Sequence, residues 1–212
     1  MIQNALILTM YKFPLIVSFL ICALIVVAQG NAGVSGYKTY QEFMENSASE
    51  TIDYRLEQRT SNHIFMTGGI ANHKFNKVKP KSLKIKLARE LWGVQQDGKD
   101  YINAYPYSER KGYNEILGTG PYKYFIGEPA YTKGPQIQLG FIEPGDPLRA
   151  VCCKTGYVLY PDGIVKLLSP DLLEQIVAEN EALLERTKQA RLKQDDILEM
   201  FKIIAELNKA RN

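Results

Sequence analysis

The sequence predicts an α+β fold, in which a mostly antiparallel β domain carries short helices and a C-terminal helical tail. Three observations support this prediction. Turn signals separate several short segments of strand character, a Ser-Pro-Asp triplet opens an amphipathic C-terminal region, and 13 tyrosines favour β structure. The 212 residues suffice for one domain with its own core. A formal net charge of +3 gives no general electrostatic reason to expect nucleic-acid binding.

The N-terminus has the layout of a secretory signal peptide. Lys12 precedes an uncharged apolar run over 13–28, and small residues then favour cleavage after Gly30 or after Ala32. We therefore expect an exported protein of the periplasm, the cell envelope or the extracellular space.

The predicted organisation is a signal peptide over 1–32, a β-rich domain over 33–168 and a helical segment over 169–212 packed on it. Met10 is an alternative start, because the residues around it make a more usual beginning for a signal peptide. An uncleaved membrane anchor is the less favoured alternative, since the apolar run is short for a spanning helix.

The best-defined local structure is a hairpin over 92–105. Its two-residue turn at 97–98, Asp-Gly, pairs Val94 with Tyr101. Side chains of alternate residues point to the same face, and we expect the aromatic face to be buried. The alternative is a sugar-stacking platform. The large side chains of that face are Trp92, Val94, Tyr101 and Tyr105, and the candidate ligand contacts are Trp92, Tyr101 and Tyr105.

Two further hairpins are predicted, over 113–126 and over 148–168. In the second, the turn Tyr-Pro-Asp-Gly ends at Gly163, which tolerates a positive φ. The residues around this turn are apolar on both faces, so they predict central strands covered on both sides.

The earlier part of the β domain combines helix and strand signals. Apolar spacing predicts short helices over 37–46 and over 82–91. Alternation over 51–60 predicts a strand with one wet face, and strand character continues over 63–67.

The C-terminal segment begins with a helix-start signal at 169–171, where an N-cap serine precedes a proline and an acid. We predict one helix over 170–189 and a second over 195–207. Packing of both helices on the β domain is favoured, because most helix stability comes from tertiary contacts. Oligomerisation through 170–208 is the alternative.

Several of these motifs together resemble a family of exported proteins of unknown function found mostly in Bacteroidota. The similarity spans roughly 37–208 and continues into the leucine-rich tail. The resemblance implies export and a single domain, and it implies no catalytic residue. The motifs read Glu-Leu-Trp-Gly-Val at 90–94, Asp-Gly at 97–98, Tyr-Ile-Asn at 101–103, Gly-Tyr-Val-Leu-Tyr at 156–160 and Gly-Ile-Val-Lys-Leu-Leu-Ser-Pro at 163–170.

The sequence contains none of the common nucleotide-binding, zinc-protease or hydrolase motifs, so we predict no catalytic, metal or cofactor residues. The two histidines, His63 and His73, could form a functional pair if the chain turns back between them. Adjacent Cys152 and Cys153 point to opposite faces of a strand, so we expect thiols rather than a metal site. An intermolecular disulfide is the alternative.

A local basic run precedes and enters the helix predicted over 82–91. We favour a solvated face, and the alternative is contact with phosphate, an anionic glycan or an anionic membrane surface. The run consists of Lys74, Lys77, Lys79, Lys81, Lys84 and Lys86.

The favoured function is a non-enzymatic binding or interaction module of the cell envelope, without a cofactor. We expect an envelope protein or glycan as its partner, no nucleic acid, and membrane contact only through an uncleaved N-terminus. The candidate contact regions are the tyrosine-rich β surface and the loop over 127–135. The alternatives are an envelope hydrolase that uses His63 or His73 with a carboxylate, and an oligomeric structural protein built through 170–208.

Overall fold

The computed structural model describes residues 33–67, 70–128 and 154–211. Within these ranges the chain forms ten strands and seven helices, which confirms the α+β class. The strands are β1 (Val34–Tyr37), β2 (Glu50–Ile52), β3 (Leu56–Gln58), β4 (His73–Phe75), β5 (Gly93–Gln96), β6 (Lys99–Asn103), β7 (Tyr113–Glu115), β8 (Lys123–Gly127), β9 (Thr155–Leu159) and β10 (Val165–Leu167). The helices are α1 (Tyr40–Met44), α2 (Ser61–Thr67), α3 (Lys81–Arg89), α4 (Tyr105–Ser108), α5 (Pro170–Val177), α6 (Glu181–Ala190) and α7 (Ile197–Arg211).

The larger sheet has seven antiparallel strands in the order β2-β1-β5-β6-β7-β4-β3. Its two edges, β2 and β3, are separated in sequence only by residues 53–55. So short a connection spans at most about 14 Å, and the sheet must therefore curl until its edges approach each other. The Gln96 side chain strengthens this closure. Its Oε1 accepts a hydrogen bond from Leu56 N at 2.7 Å, and its Nε2 donates to Leu56 O at 3.2 Å.

The curled sheet encloses one core, which α3 covers through Leu87. A second, three-stranded sheet in the order β10-β9-β8 packs near β6, and Ile102, Phe125, Tyr157 and Leu159 form the apolar contact. The buried residues of the first core are Val34, Ile52, Leu56, Phe75, Val78, Leu87, Leu91, Val94, Tyr101 and Tyr113.

Helices α5, α6 and α7 cover the remaining face of the three-stranded sheet. The rings of Tyr124 on β8 and Phe201 on α7 stack with centroids 4.5 Å apart. Strand alternation explains this layering, because Val158 faces the helices while Tyr157 and Leu159 on either side of it face the other way. The large apolar side chains of the tail, except that of the exposed Leu198, thus pack within the chain.

The central hairpin forms with the predicted register, since β5 and β6 pair Val94 with Tyr101. Both side chains lie in the core of the curled sheet, as predicted. Trp92 and Tyr105 do not continue that strand face, which corrects the prediction. β5 begins one residue after Trp92, and Tyr105 is already the first residue of α4.

The helix predicted over 37–46 is confined to α1, and β1 occupies the residues before it. Thr39 sets the start of the helix, because its hydroxyl accepts a hydrogen bond from Glu42 N at 3.1 Å. The helix predicted over 82–91 is α3.

The strand predicted over 63–67 was wrong, since this segment belongs to α2. Thr60 provides the reason: its hydroxyl accepts a hydrogen bond from His63 N at 3.2 Å, and its carbonyl accepts from Ile64 N at 3.0 Å. A local cap therefore outweighs the strand preference of the apolar residues.

The hairpin predicted over 113–126 is replaced by a junction between the two sheets. β7 belongs to the larger sheet and β8 to the smaller one, and an isolated bridge between Ile116 and Phe125 joins them. The described part of the hairpin predicted over 148–168 consists of β9 and β10, which pair antiparallel.

The turn between β9 and β10 has the predicted chemistry, with Gly163 at a φ of 86° and its N–H donating to Tyr160 O at 2.9 Å. β9 is a central strand, as predicted. β10 is an edge strand among the described residues, with exposed Ile164 and Leu167, so its predicted double coverage was wrong.

The tail contains three helices where the sequence predicted two. Ser169 caps α5 by accepting a hydrogen bond from Leu172 N at 3.1 Å, as the start signal indicated. Asn180 then caps α6 by accepting from Leu183 N at 3.1 Å, and this second cap interrupts the helix predicted over 170–189.

Several predicted features lie outside the described residues. They are the signal peptide, the adjacent cysteines Cys152 and Cys153, residues 129–135 of the candidate contact loop and residues 148–153 of the last predicted hairpin. In the described ranges we find no helix that combines the length and hydropathy needed to cross a membrane.

Asn103 provides a test of how the fold is held together. Its buried Nδ2 donates to Leu91 O at 2.7 Å and to Ala88 O at 3.3 Å, and its Oδ1 accepts from Tyr105 N at 3.0 Å. Asn103→Ala is expected to lower the free energy of unfolding by about 2–3 kcal/mol, because buried backbone groups lose their partners. Chemical denaturation measures this loss.

The matched control is Gln95→Ala in the same hairpin, where Nε2 donates to Asp100 Oδ1 at 2.9 Å in a half-buried position. We expect a loss below about 1 kcal/mol there. Equal losses in the two variants would contradict the special role of Asn103.

Candidate functional site

An ion cluster around a buried carboxylate lies just after β3 and β8, which are edge strands of the two sheets. Glu128, directly after β8, accepts a hydrogen bond from Ile70 N at 2.8 Å through Oε1. Arg59 Nη1 lies 3.9 Å from the same oxygen, and Arg110 Nε lies 3.4 Å from Oε2. We call Arg59, Arg110 and Glu128 the Glu128 cluster. Both Glu128 oxygens are engaged, so this carboxylate is fixed in place.

The backbone around the cluster is equally constrained. Arg59 donates from its N–H to Asn72 O at 3.0 Å and from Nη1 to Ile70 O at 3.1 Å. Tyr157 OH donates to the backbone carbonyl of Glu128 at 2.9 Å, and burial raises the pKa of Tyr157 to about 12. Strands of both sheets therefore hold the cluster.

Aromatic rings form an apolar wall beside the cluster. Tyr107 lies 5.3 Å from Phe125 and 4.9 Å from Tyr157 between ring centroids, and burial raises the pKa of Tyr107 far above its usual range. Asn114 donates a hydrogen bond to the Tyr107 hydroxyl. Gly127 allows this packing, because a Cβ there would lie 2.9 Å from the Tyr157 ring.

Three lysines carry positive charge near the Glu128 cluster, and we call Lys74, Lys84 and Lys111 the cationic rim. Lys74 is half-buried on β4, whereas Lys84 on α3 and Lys111 before β7 are exposed. Burial lowers the pKa of Lys74, and the positive charges of Arg59, Lys111 and Lys84 lower it further, against the opposing charge of Glu128. Lys74 therefore shares one electrostatic environment with three other cations and a single carboxylate.

The cationic rim has no carboxylate partner within ion-pair distance among the described residues. Glu57 pairs with Lys74 across the β3–β4 ladder, but its carboxylate instead accepts a hydrogen bond from Asn76 Nδ2 at 2.6 Å. Four lysines outside the rim, Lys38, Lys86, Lys99 and Lys202, do have a carboxylate partner, as Lys99 has Glu115 at 2.8 Å. The rim is thus a local excess of positive charge.

The structure does not assemble Trp92, Tyr101 and Tyr105 into one platform. Trp92 packs on the rings of α1, with centroid distances of 5.4 Å to Tyr40 and 4.8 Å to Phe43. Tyr101 is buried in the core of the curled sheet. The Arg89 guanidinium lies 5.2 Å from the centroid of the half-buried Tyr105 ring.

The two histidines lie on different elements. His63 is exposed on α2, whereas His73 begins β4 and is half-buried, with its ring centroid 4.8 Å from that of Tyr101. Burial lowers the pKa of His73, with Glu115 opposing and Lys99 reinforcing this effect. Within the described ranges, no three His, Cys, Asp or Glu residues form a group suited to a metal ion.

The basic run divides into lysines with different surroundings. Lys86 Nζ lies 2.7 Å from Glu50 Oε1, so the charge of Lys86 is paired with a carboxylate on a strand that is distant in sequence. Lys77, Lys79 and Lys81 are exposed. Lys74 and Lys84 are the members of the run that belong to the cationic rim, and the charge of Glu128 acts on Lys74.

Sequence reasoning missed the Glu128 cluster because its members are remote from one another along the chain. Arg59 and Glu128 are separated by 69 positions and follow strands of different sheets. The only local signal was a charged residue directly after an apolar strand. Glu128 has this position, within the predicted contact loop. Such a signal is too common to identify a site.

These features define an α+β protein in which a buried carboxylate is held by two arginines and lysines contribute further positive charge nearby. Fixed cations of this kind can bind an anion. The chain belongs to a family of unknown function, DUF6563, whose model matches residues 35–211. No curated protein and no solved structure matches the chain.

The Glu128 cluster predicts a specific stability effect. Glu128→Gln is expected to lower the free energy of unfolding by about 3 kcal/mol, because two guanidinium groups lose their buried counter-charge. Denaturation in urea measures the loss. The control is Glu115→Gln, which breaks an exposed pair with Lys99 and should cost much less because water screens it. Similar losses in both variants would contradict a structural role for the cluster.

Lys74 predicts a pH-dependent effect on stability. Unlike the charge of Glu128, the charge of Lys74 lowers the free energy of unfolding. The pKa of Lys74 in the folded protein lies below the ordinary value of 10.5, so the unfolded chain binds more protons between the two pKa values. Lys74 should therefore contribute a rise in stability with pH immediately below 10.5, which is measured as the difference between the wild type and Lys74→Met over that range. At neutral pH, Lys74→Met should be at least as stable as the wild type.

The control for this measurement is Lys99→Met. The hydrogen bond that Lys99 donates to Glu115 raises the pKa of Lys99, so this lysine stabilises the fold at neutral pH and loses its contribution only above 10.5. Thermal unfolding as a function of pH compares the variants. A clear loss of stability in Lys74→Met at neutral pH would contradict the prediction.

Proposed function

We propose that the protein is an exported, non-enzymatic binding module that holds an anionic component of the cell envelope through its cationic rim. The N-terminal apolar run and the small residues after it support export. The observation that carries the binding proposal is the positive charge of the rim, which no carboxylate among the described residues neutralises.

The cost of this arrangement supports a functional role. Lys74 is held half-buried near three other cations, Arg59, Lys84 and Lys111, which disfavours its charged form and therefore the folded state at neutral pH. Features that reduce stability without a structural return are typical of sites retained for function. Glu128 supports binding rather than acid–base catalysis, because its oxygens already hold Ile70 N–H and two guanidinium groups.

The other two candidate functions gain less support from the geometry. The helical tail buries its large apolar side chains on the three-stranded sheet, and Leu198 is its large apolar exception among the described residues. An oligomer built through this tail would therefore have little apolar surface to use. A hydrolase would use His63 or His73 with a carboxylate, and the two histidines lie on different elements, so the structure does not bring them together as a pair.

The proposal is tested with cells that express the full chain. Fractionation should recover the protein outside the cytoplasm, and N-terminal sequencing should find a start at Asn31 or Gly33. The recovered protein should co-sediment with envelope fragments of its source organism at low salt. It should dissociate as salt rises, because exposed charges are screened over about 8–10 Å near physiological ionic strength.

Two triple variants with the same change in net charge separate a specific surface from a general charge effect. The rim variant should lose most of its co-sedimentation, and the control should keep it. The rim variant carries Lys74→Gln, Lys84→Gln and Lys111→Gln, and the control carries Lys99→Gln, Lys188→Gln and Lys202→Gln. Equal losses in both variants, or a protein retained unprocessed in the cytoplasm, would contradict the proposal.

A further inference from the structure

We propose that the outward face of helix α3 docks on the surface of a lipid bilayer that contains anionic lipids. This face consists of Lys81, Ile85 and Arg89, and we call it the α3 face. Its residues differ from those of the cationic rim, so the proposal goes beyond the proposed function. The docking is also independent of the N-terminal apolar run.

Helix geometry brings the three side chains of the α3 face together. Residues four apart on an α-helix are neighbours on its surface, and Lys81, Ile85 and Arg89 have this spacing. All three are exposed, Ile85 by 47%. Leu87 lies two positions from Ile85, on the opposite side of the helix, and is buried in the core of the curled sheet. The α3 face therefore presents to solvent an isoleucine between two cations.

Positive charge continues around the α3 face without an intervening acid. The sequence contains no aspartate or glutamate over 58–89. Lys77 and Lys79 are exposed just before the helix, and Lys84 is exposed on one of its flanks. Clusters of about four to eight lysines and arginines are typical of binding to anionic lipids. A bilayer presents its charge as a continuous surface, so these cations need not converge on one point.

The acids that flank the helix leave the α3 face uncompensated. Glu50 lies beside Lys86 and is paired with it at 2.7 Å. Glu90 follows the helix directly as its C-cap. Among the described residues, no carboxylate lies within ion-pair distance of Lys81 or Arg89. The positive charge of the face is therefore available to an external anionic surface.

Tyr105 extends the α3 face with an aromatic ring. The Arg89 guanidinium lies 5.2 Å from the centroid of this half-buried ring, and Pro106 beside it is exposed. Tyrosine is enriched at the headgroup level of membranes, because its ring is apolar and its hydroxyl is polar. The face thus ends in a residue suited to the membrane interface, and this gives a role to a ring that the core of the curled sheet does not use.

Ile85 favours a bilayer over a soluble polyanion. Cations alone would suit an anionic glycan or a nucleic acid equally well. An isoleucine exposed between two cations gains nothing from a hydrated polymer, whereas the headgroup region buries apolar surface while the cations stay at the level of the phosphates. This combination predicts reversible, salt-sensitive docking on the membrane surface.

The test uses the full chain as isolated from expressing cells, with vesicles of phosphatidylcholine with and without phosphatidylglycerol. Saturable co-sedimentation should require phosphatidylglycerol and should weaken as salt rises, because salt screens exposed charges. The vesicles of phosphatidylcholine alone measure any binding by the N-terminal run, since insertion of an apolar segment does not need lipid charge.

Two double variants with the same change in net charge test the cations of the face. Lys81→Gln with Arg89→Gln should weaken binding by about fivefold for each charge removed. The control, Lys188→Gln with Lys193→Gln, removes two exposed lysines of the tail and should change binding by less than about twofold.

Two matched substitutions test the apolar residue of the face. Ile85→Ser should weaken binding by about fivefold, and Leu198→Ser, at an exposed apolar residue of α7, by less than about twofold. A tryptophan reports the position directly. Ile85→Trp fluorescence should be quenched by lipids brominated in their acyl chains, and Leu198→Trp fluorescence should not, with Trp92 giving the same background in both.

The inference is overturned if phosphatidylglycerol does not promote binding, if the control pair loses as much binding as the pair in the face, or if Ile85→Trp is not quenched. Heparin binding that requires Lys81 and Arg89 but not Ile85, without vesicle binding, would overturn it in favour of a soluble polyanion. The rim variant keeps the α3 face intact, so loss of envelope co-sedimentation in that variant tests the proposed function separately.

Discussion

The buried amide of Asn103 is the interaction on which the placement of the other elements depends. It donates hydrogen bonds to carbonyls at the end of α3 and accepts one from the first N–H of α4, while the backbone of Asn103 is part of β6. An unpaired buried amide would cost more than the bonds contribute, so the hairpin register and the helix position are mutually fixed. Asn208 joins α7 to the loop before β8 in the same manner, accepting from Tyr122 N at 3.1 Å and donating to Thr119 O at 2.8 Å.

Local chemistry made much of the fold predictable from sequence. The turn at 97–98 determined the register of β5 and β6, and Gly163 took the positive φ that its turn required. Ser169 and the proline after it marked the start of α5 correctly. In each case the deciding interaction lies within a few residues along the chain, so the sequence contains the whole signal.

Errors arose where a distant or competing contact decided the outcome. Thr60 capped a helix in a segment with strand preference, and Asn180 interrupted a helix whose apolar pattern continued. The assignment of β7 and β8 to different sheets depends on packing that no local pattern records. The same holds for the candidate site: Lys74 was visible as one of six lysines, but its relation to Glu128 exists only in the folded chain.

The Glu128 cluster also has a consequence for how the fold comes apart. Arg59 follows the outermost strand of the large sheet, and Glu128 follows an edge strand of the small one. Opening either sheet at this point would separate buried opposite charges before any apolar surface is released. We therefore expect the two sheets to unfold together and to resist partial opening at these edges, where strands most readily pair with other chains.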